Sequence, residues 1–346
     1  MVNPVNDGQM NIFGEIEEMK QPISRELLAG QIFEVLQNIT LEQFVGLLTN
    51  EFNEVIQYAG LSHGEKTCQK TSLLFNPHRL ATRTKHSKMS VYEAIRNREF
   101  MSGLARALLF KKGRVNELLY QVIQLGVNGV QYVNEFPPHV AVELCRQYRV
   151  KPSDYVLDPC AGWGGRMIGV SVVANNYIGY EPATRTFNGL KTMAGFIRKM
   201  NPDFYAAIRH QPFEDSTCRI RNMNLFSDAP PDTLPANTFD FALTSPPYYD
   251  TEIYSDEPTN SLNRYPTFEK WCDGFYLPMI QKTMDALKPG KTFVLNIGSR
   301  KYPLNKIMIG CFGGRYNISR LSSKLSGTAG LGKDGEGETF YAIRKA

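Results

Sequence analysis

Val156-Leu157-Asp158-Pro159-Cys160-Ala161-Gly162-Trp163-Gly164-Gly165 is the stretch on which the fold turns. It reads as a short apolar strand, an acidic residue at its tip, and a glycine turn leading into a helix. Glycines let the backbone take positive φ angles and come close to a ligand. Ligands of open α/β sheets lie at the carboxyl ends of the strands, where this turn falls. The order of residues is not the Gly-x-Gly-x-x-Gly of dinucleotide enzymes, because Pro159 and Cys160 precede the glycines and Gly165 comes early. No Gly-Lys-Ser/Thr follows, which excludes a nucleotide-phosphate loop.

Outward from this turn, apolar runs alternate with helical patterns. Tyr155–Asp158, Tyr177–Glu181, Tyr205–His210, Phe239–Thr244 and Phe293–Ile297 read as strands. Helical stretches at 164–173, 183–200 and 267–287 lie between them. That alternation predicts an α/β fold with a doubly wound, Rossmann-like and mostly parallel sheet. Tyr316–Leu321 and Thr339–Ile343 predict an antiparallel hairpin closing its C-terminal edge. Glu181 ends the second strand, where a carboxylate accepts hydrogen bonds from two vicinal ribose hydroxyls. Glu214-Asp215 follow the third strand, and Asp215 is expected to reach an adenine amine. Acids at three successive strand tips describe an adenosine site that does not depend on phosphate. They favour S-adenosylmethionine over a nicotinamide dinucleotide as cofactor, held along Asp158, Pro159, Cys160, Ala161, Gly162, Trp163 and Gly164.

The second motif is Thr244-Ser245-Pro246-Pro247-Tyr248, at the end of an apolar strand. Two prolines stiffen the backbone and remove two donors, leaving carbonyls unpaired beside the strand end. Ser245 Oγ and the Pro246 carbonyl could accept both hydrogens of an NH₂ group, while Tyr248 offers a face for stacking a base. A base amine is a poor nucleophile, and accepting its hydrogens as it turns tetrahedral recovers the lone pair for attack. Ser245, Pro246, Pro247 and Tyr248 are therefore the expected catalytic residues.

Together these motifs resemble those of the DNA amino-methyltransferases, the enzymes that modify cytosine N4 or adenine N6. Asp158-Pro-Cys-Ala-Gly-Trp-Gly-Gly is similar to that family's cofactor motif, with Cys160 and Trp163 departing from its commonest choices. Ser245-Pro-Pro-Tyr248 is similar to its catalytic motif. Asn134-Glu-Phe-Pro-Pro-His-Val-Ala141 resembles the segment that packs on the methionine end of the cofactor, which makes Phe136 a contact. The stretch from Ser245 through Asp250, Tyr254-Ser255-Asp256-Glu257 and Tyr265-Pro266 is similar to orphan enzymes of bacteriophages. The resemblance covers about 131–346. It implies S-adenosylmethionine as cofactor, DNA as substrate, a flipped target base, and strands one and four side by side. Ser245 favours cytosine N4 over adenine N6.

The 346 residues leave room for an appendage before this domain, and the net charge of +5 is unevenly spread. Residues 1–60 sum to −7 and residues 61–114 to +9. The expected division is a flexible arm at 1–20, a helical and partly basic region at 21–130, and the methyltransferase domain at 131–346. Thr40 and Gln43 predict a capping box opening a helix. The basic block, with Arg79, Arg83, Lys85 and Lys88, is the candidate contact for phosphates. Phe75, Tyr249 and Tyr254 are candidate wedges, and 250–266 a mobile loop over the cleft. Six scattered cysteines without Cys-x-x-Cys pairs predict reduced thiols, a cytoplasmic location and no metal. No apolar run of membrane-spanning length occurs. The rival readings are an RNA base-amine methyltransferase and a catalytically silent nucleic-acid-binding scaffold. A nicotinamide oxidoreductase lacks its fingerprint.

Overall fold

Each of the short apolar runs presents alternate side chains to two buried faces, and this patterning assembles the sheet. The computed structural model describes residues 33–34, 37–48, 58, 60–61, 63, 65–68, 70–85, 87–100, 130, 133–219, 233–298, 301–321 and 338–345. The strands of the main sheet are β1 (Tyr155–Asp158), β2 (Asn176–Tyr180), β3 (Tyr205–Arg209), β4 (Phe239–Thr244), β5 (Leu287–Gly298), β6 (Asn317–Arg320) and β7 (Glu338–Arg344). They lie side by side in the order β3-β2-β1-β4-β5-β7-β6. Strands β1 to β5 are mutually parallel, and β7 runs antiparallel between β5 and β6. The predicted doubly wound sheet and its antiparallel C-terminal hairpin are both present.

Side chains alternate along the strands, except between Phe239 and Phe241 on β4, where the register shifts. Leu157, Ile178, Ala242, Phe293 and Leu295 face one core. Val156, Tyr177, Phe241, Leu243 and Val294 face the other. Helices α1 (Pro138–Gln147), α2 (Gly165–Val170) and α3 (Thr184–Met200) cover the second face through Val140, Met167, Leu190 and Met193. Helices α4 (Leu277–Ala286) and α5 (Leu304–Phe312) cover the first through Met279, Ile280, Leu304 and Met308. The chain winds outward from β1 to β3, then returns to place β4 on the other side of β1. Connections therefore diverge between β1 and β4, which opens a crevice at the carboxyl ends of these two strands.

Two elements differ from expectation. Strand β5 begins at Leu287, six residues before Phe293. Lys288-Pro289-Gly290 conceals this start, although Leu287 is wholly buried and pairs with Phe239. The Lys288 ammonium meets the Asp240 carboxylate at 2.8 Å. The helix expected at 267–287 is interrupted by a π turn at Cys272–Tyr276, next to Pro278, whose missing N–H removes one regular helical bond.

Residues 49–85 do not belong with a separate N-terminal region. The chain divides into two compact units, one of residues 1–48 with 86–132, the other of 49–85 with 133–346. The division after 132 falls beside the boundary expected at 130, whereas residues 49–85 join the larger unit instead of the region expected at 21–130. The reason is specific packing: the Arg79 guanidinium, 1% exposed, binds the Glu135 carboxylate, which also accepts from Ser72 Oγ. Phe75 lies 5.3 Å from Phe196 of α3. In the smaller unit, the predicted capping box is formed: Gln43 N donates to Thr40 Oγ1 at 3.1 Å and Thr40 N to Gln43 Oε1 at 2.9 Å, opening the helix Leu41–Leu48. A second box, Ser90 with Glu93, opens Val91–Ala94. The arm 1–20 and most of the helical pattern before Leu41 lie outside the described residues.

Candidate active site

The Asp158 carboxylate at the tip of β1 is 1% exposed and fully occupied within the protein. Its Oδ2 meets Arg166 Nε at 2.8 Å and accepts from Tyr177 OH at 2.8 Å. Its Oδ1 accepts from Thr244 Oγ1 at 2.7 Å and from Cys160 N at 3.3 Å. Thr244 Oγ1 in turn accepts from Cys160 N at 3.1 Å. No acceptor position remains for a ligand, so the direct contact expected of Asp158 is corrected to a holding role. The carboxylate ties the end of β4 to the turn after β1.

That turn runs through Pro159 and Ala161, both buried, to the half-buried Gly162. Gly162 has φ +56°, and a Cβ there would make only ordinary contacts, with the Arg166 guanidinium and the Cys160 carbonyl at 3.9 Å. Gly164, at φ +96°, is different: a Cβ would overlap Met193 and come within 2.7 Å of Leu190. Gly164 serves helix packing, and Gly162 meets no such overlap. Trp163 turns backward, 6% exposed, with its ring 5.3 Å from His78 and its carbonyl accepting from Asn76 Nδ2 at 3.1 Å. Phe136 lies edge-on to Phe340 at 5.8 Å, and the Arg166 guanidinium stands 5.2 Å over its ring.

Glu181, just past β2, reaches the same turn. Its Oε2 accepts from Gly162 N at 3.1 Å and its Oε1 from Ala183 N at 2.9 Å. Each oxygen keeps one free acceptor direction. Burial pushes the Glu181 carboxyl up to about 8, with the two backbone donors opposing that rise. After β3, the exposed Asp215 accepts from Arg264 with both oxygens, at 2.7 and 3.0 Å, and keeps one further acceptor direction on each. Its neighbour Glu214 is the buried member of the pair. Glu214 Oε1 takes Arg264 at 2.9 Å, while its buried Oε2 has no partner among the described residues. Burial raises the Glu214 carboxyl to about 7, against the pull of Arg264 and Lys282.

The Cys160 thiol lies within this acidic group. Burial, then the Asp158 charge, raises it well above the usual thiol range, so it stays protonated. Among the described residues no group of three His, Cys, Asp or Glu side chains is arranged to hold a metal, and no helix is long and apolar enough to cross a membrane.

Across the crevice, Ser245 Oγ lies 3.3 Å from Tyr248 OH. Pro246 is buried, while Ser245, Pro247 and Tyr248 are half-buried. Asn296, on β5, donates from Nδ2 to Ser245 Oγ at 3.5 Å. The two motifs thus stand on adjacent strands, β1 and β4, joined by the Thr244–Asp158 bond. Tyr249 is no wedge: its hydroxyl binds the Pro266 carbonyl at 2.7 Å and its ring packs on Phe268, Trp271 and Tyr302. The ring of Tyr254 lies 6.0 Å from Trp163.

The expected mobile loop over the cleft is anchored at several points. Glu257 accepts from Thr184 N at 2.9 Å, capping α3 from outside the helix. Thr259 Oγ1 donates to the Pro182 carbonyl at 3.2 Å, and Arg264 holds the acids after β3. Glu252–Ile253 pair with Arg83–Thr84 in a short antiparallel ladder. Asp250 receives Lys85, Lys301 and Tyr302 OH. Burial opposes its ionisation, but these donors hold its carboxyl down to about 2.

Arg166 and Asn296 were not singled out from the sequence, and Thr244 and Glu214 were named there only as members of a motif and of an acidic pair. Arg166 had a usable signal, a cation in the first turn of the helix after the glycines. Asn296 had a fainter one, an amide inside the apolar run Phe293–Ile297.

No protein-family model matches the chain, and no curated protein matches it. Among solved structures it is similar to a SAM-dependent O-methyltransferase from Thermotoga maritima, at 10% identity over 62% of this chain and 68% of that one, TM-score 0.39. It is also similar to TrmN from Thermus thermophilus, at 12% identity over 61% of this chain and 49% of that one, TM-score 0.38. A third is the tRNA (m1A58) methyltransferase TrmI from Aquifex aeolicus, at 13% identity over 65% and 75%, TM-score 0.36. The chemistry of the site is therefore read from its own residues.

Proposed function

We propose that the chain transfers a methyl group from S-adenosylmethionine to the exocyclic amine of a base in DNA, cytosine N4 in preference to adenine N6. The observation that carries this reading is the pairing of two half-sites on neighbouring strands. Glu181 and the Gly162 turn form one, Ser245 with Tyr248 the other, and the Asp158–Thr244 bond joins them. The first half-site fits the cofactor. Glu181 has an open acceptor direction on each oxygen for the two ribose hydroxyls, and no side-chain cation competes for it by hydrogen bond among the described residues. Glu214 Oε2 is a buried acceptor without a donor, as the adenine amine would require. Gly162 admits a close approach of the cofactor to the backbone, and Phe136 would contact its methionine end.

When bound, S-adenosylmethionine supplies a methyl group on a positively charged sulfur. Ser245 Oγ accepts one hydrogen of the base amine and the neighbouring backbone carbonyl the other, while Tyr248 stacks on the flipped base. So held, the amine nitrogen would take the methyl group in place of the sulfur and give up one proton to solvent. No covalent enzyme intermediate is needed, and the protonated Cys160 thiol offers none. Arg83 and Lys88, each on its own unit, are exposed and suited to phosphate, whereas Lys85 already meets Asp250 and Arg79 is buried. Such an enzyme would act on DNA in the cytoplasm.

Incubating the chain with labelled methyl donor and separate DNA and RNA, then analysing nucleosides by mass spectrometry, tests the reading. N4-methylcytosine in DNA is expected. N6-methyladenine would keep the amine chemistry and change the base, and label confined to RNA would change the polymer. Methylation at carbon 5 of a pyrimidine would overturn the mechanism.

A further inference from the structure

We propose that Asn296 is a positioning residue that fixes Ser245 as a hydrogen-bond acceptor, so that the site selects an amine over a ring carbonyl. The inference rests on the amine-transfer reading above. Thr244 pairs with Leu295 in the β4–β5 register, which places Ser245 beside Asn296 at the carboxyl ends of both strands. Asn296 is 4% exposed, and its flanking residues Leu295 and Ile297 are apolar and wholly buried. Packing alone would favour an apolar side chain here. The amide is instead kept with its Oδ1 buried and unpartnered among the described residues, an arrangement that costs folding stability and calls for a role.

That role follows from counting hydrogens. A serine hydroxyl has one hydrogen and two lone pairs. Asn296 Nδ2 directs an N–H at one lone pair of Ser245 Oγ, at 3.5 Å. Between Ser245 and Tyr248, 3.3 Å apart, either hydroxyl can donate, and in the proposed arrangement Ser245 is the donor. The remaining lone pair is then free for the target, and it needs a donor. An amine satisfies it, whereas a carbonyl oxygen at the same place would face lone pair to lone pair. The 3.5 Å separation is long for a hydrogen bond, as is common in sites that tighten only around substrate.

The test is a double-mutant cycle on the full chain: Asn296→Ala, Asn296→Asp, Ser245→Ala, and Asn296→Ala combined with Ser245→Ala. S-adenosylmethionine affinity should be unchanged throughout. Asn296→Ala and the isosteric Asn296→Asp, which lacks the N–H, should each lower kcat about tenfold with KM little altered. The double variant should be no slower than Ser245→Ala, because Asn296 acts only through that hydroxyl. Losses that multiply in the double variant would overturn the proposal, and so would a folded Asn296→Asp chain at full rate. Should Asn296→Ala fail to fold, the isosteric variant decides alone. A wild-type chain that methylates no polynucleotide would instead defeat the amine-transfer reading, and this inference with it.

Discussion

Binding of S-adenosylmethionine should release a proton, and Glu181 is the group that loses it. Both carboxyl oxygens accept backbone N–H groups, and burial holds the group at about 8 in the free protein. At neutral pH about nine in ten molecules therefore carry Glu181 neutral, since each unit between pH and pKa is a factor of ten. Two ribose hydroxyls donating to the carboxyl favour its ionised form. Affinity should accordingly fall as pH drops below about 8, by roughly tenfold per pH unit until the pKa of the complex is reached. Calorimetry across that range, in buffers of different ionisation enthalpy, would count the protons released. Stability has a matching sign. A carboxyl raised above its unfolded value binds more protons when folded, so the free protein should lose about 1.4 kcal/mol per pH unit between about 4.5 and 8. Glu214, raised to about 7, adds to this loss in the same direction. Glu181→Gln should abolish its share of both slopes and weaken the cofactor. An affinity that is flat in pH for the wild type, or an unchanged slope in the Gln variant, would refute the reasoning.

Tyr248→Ala should leave cofactor affinity intact while lowering methyl transfer, with lost stacking alone worth about 1–3 kcal/mol; equal loss of both would refute its assignment to the base. Gly164→Ala should destabilise the fold, because its Cβ overlaps Met193 at φ +96°, and a denaturant titration would read the drop. Gly162→Ala should stay folded, at a strain cost of about 1–2 kcal/mol, and lose cofactor affinity by calorimetry. Neutralising Arg83 and Lys88 together should reduce the salt slope of DNA binding by about two. Arg79→Ala should lower the melting temperature instead, since it strips the Glu135 carboxylate of its buried cation.

The sheet was legible because alternation and strand-end turns are local. Val156-Leu157-Asp158 announces two buried faces and a carboxyl-end turn within three residues. The pairing of Gly162 with Glu181 was half legible: the residues could be chosen, but not the bond between them. Glu214 and Asp215 look alike in sequence because they are adjacent acids; only the fold buries Glu214 and leaves Asp215 exposed, while Arg264 reaches both. Arg79 read as a surface cation because nothing near it in the chain shows that Glu135 will cover it. Asn296 was hidden by its apolar neighbours. What escaped reading is, in each case, a contact made between distant parts of the chain.

The packing of residues 71–84 behind the glycine turn has a consequence for how the chain is made. His78 finds Thr186, its partner at 3.0 Å, only 108 residues later, and Arg79 finds Glu135 after 56. At a synthesis rate of about 5–20 residues per second, His78 waits on the order of 5–20 s for that partner. Trypsin should cleave at Arg79 in chains stalled on the ribosome before Glu135 and spare it in completed protein. Through that interval the segment must remain unattached without seeding aggregation. Its cations Arg79 and Arg83, with Lys66, Lys70 and Lys85 beside it in the chain, are well suited to this. That charge also keeps an early-made piece of the larger unit in solution until the sheet arrives to receive it.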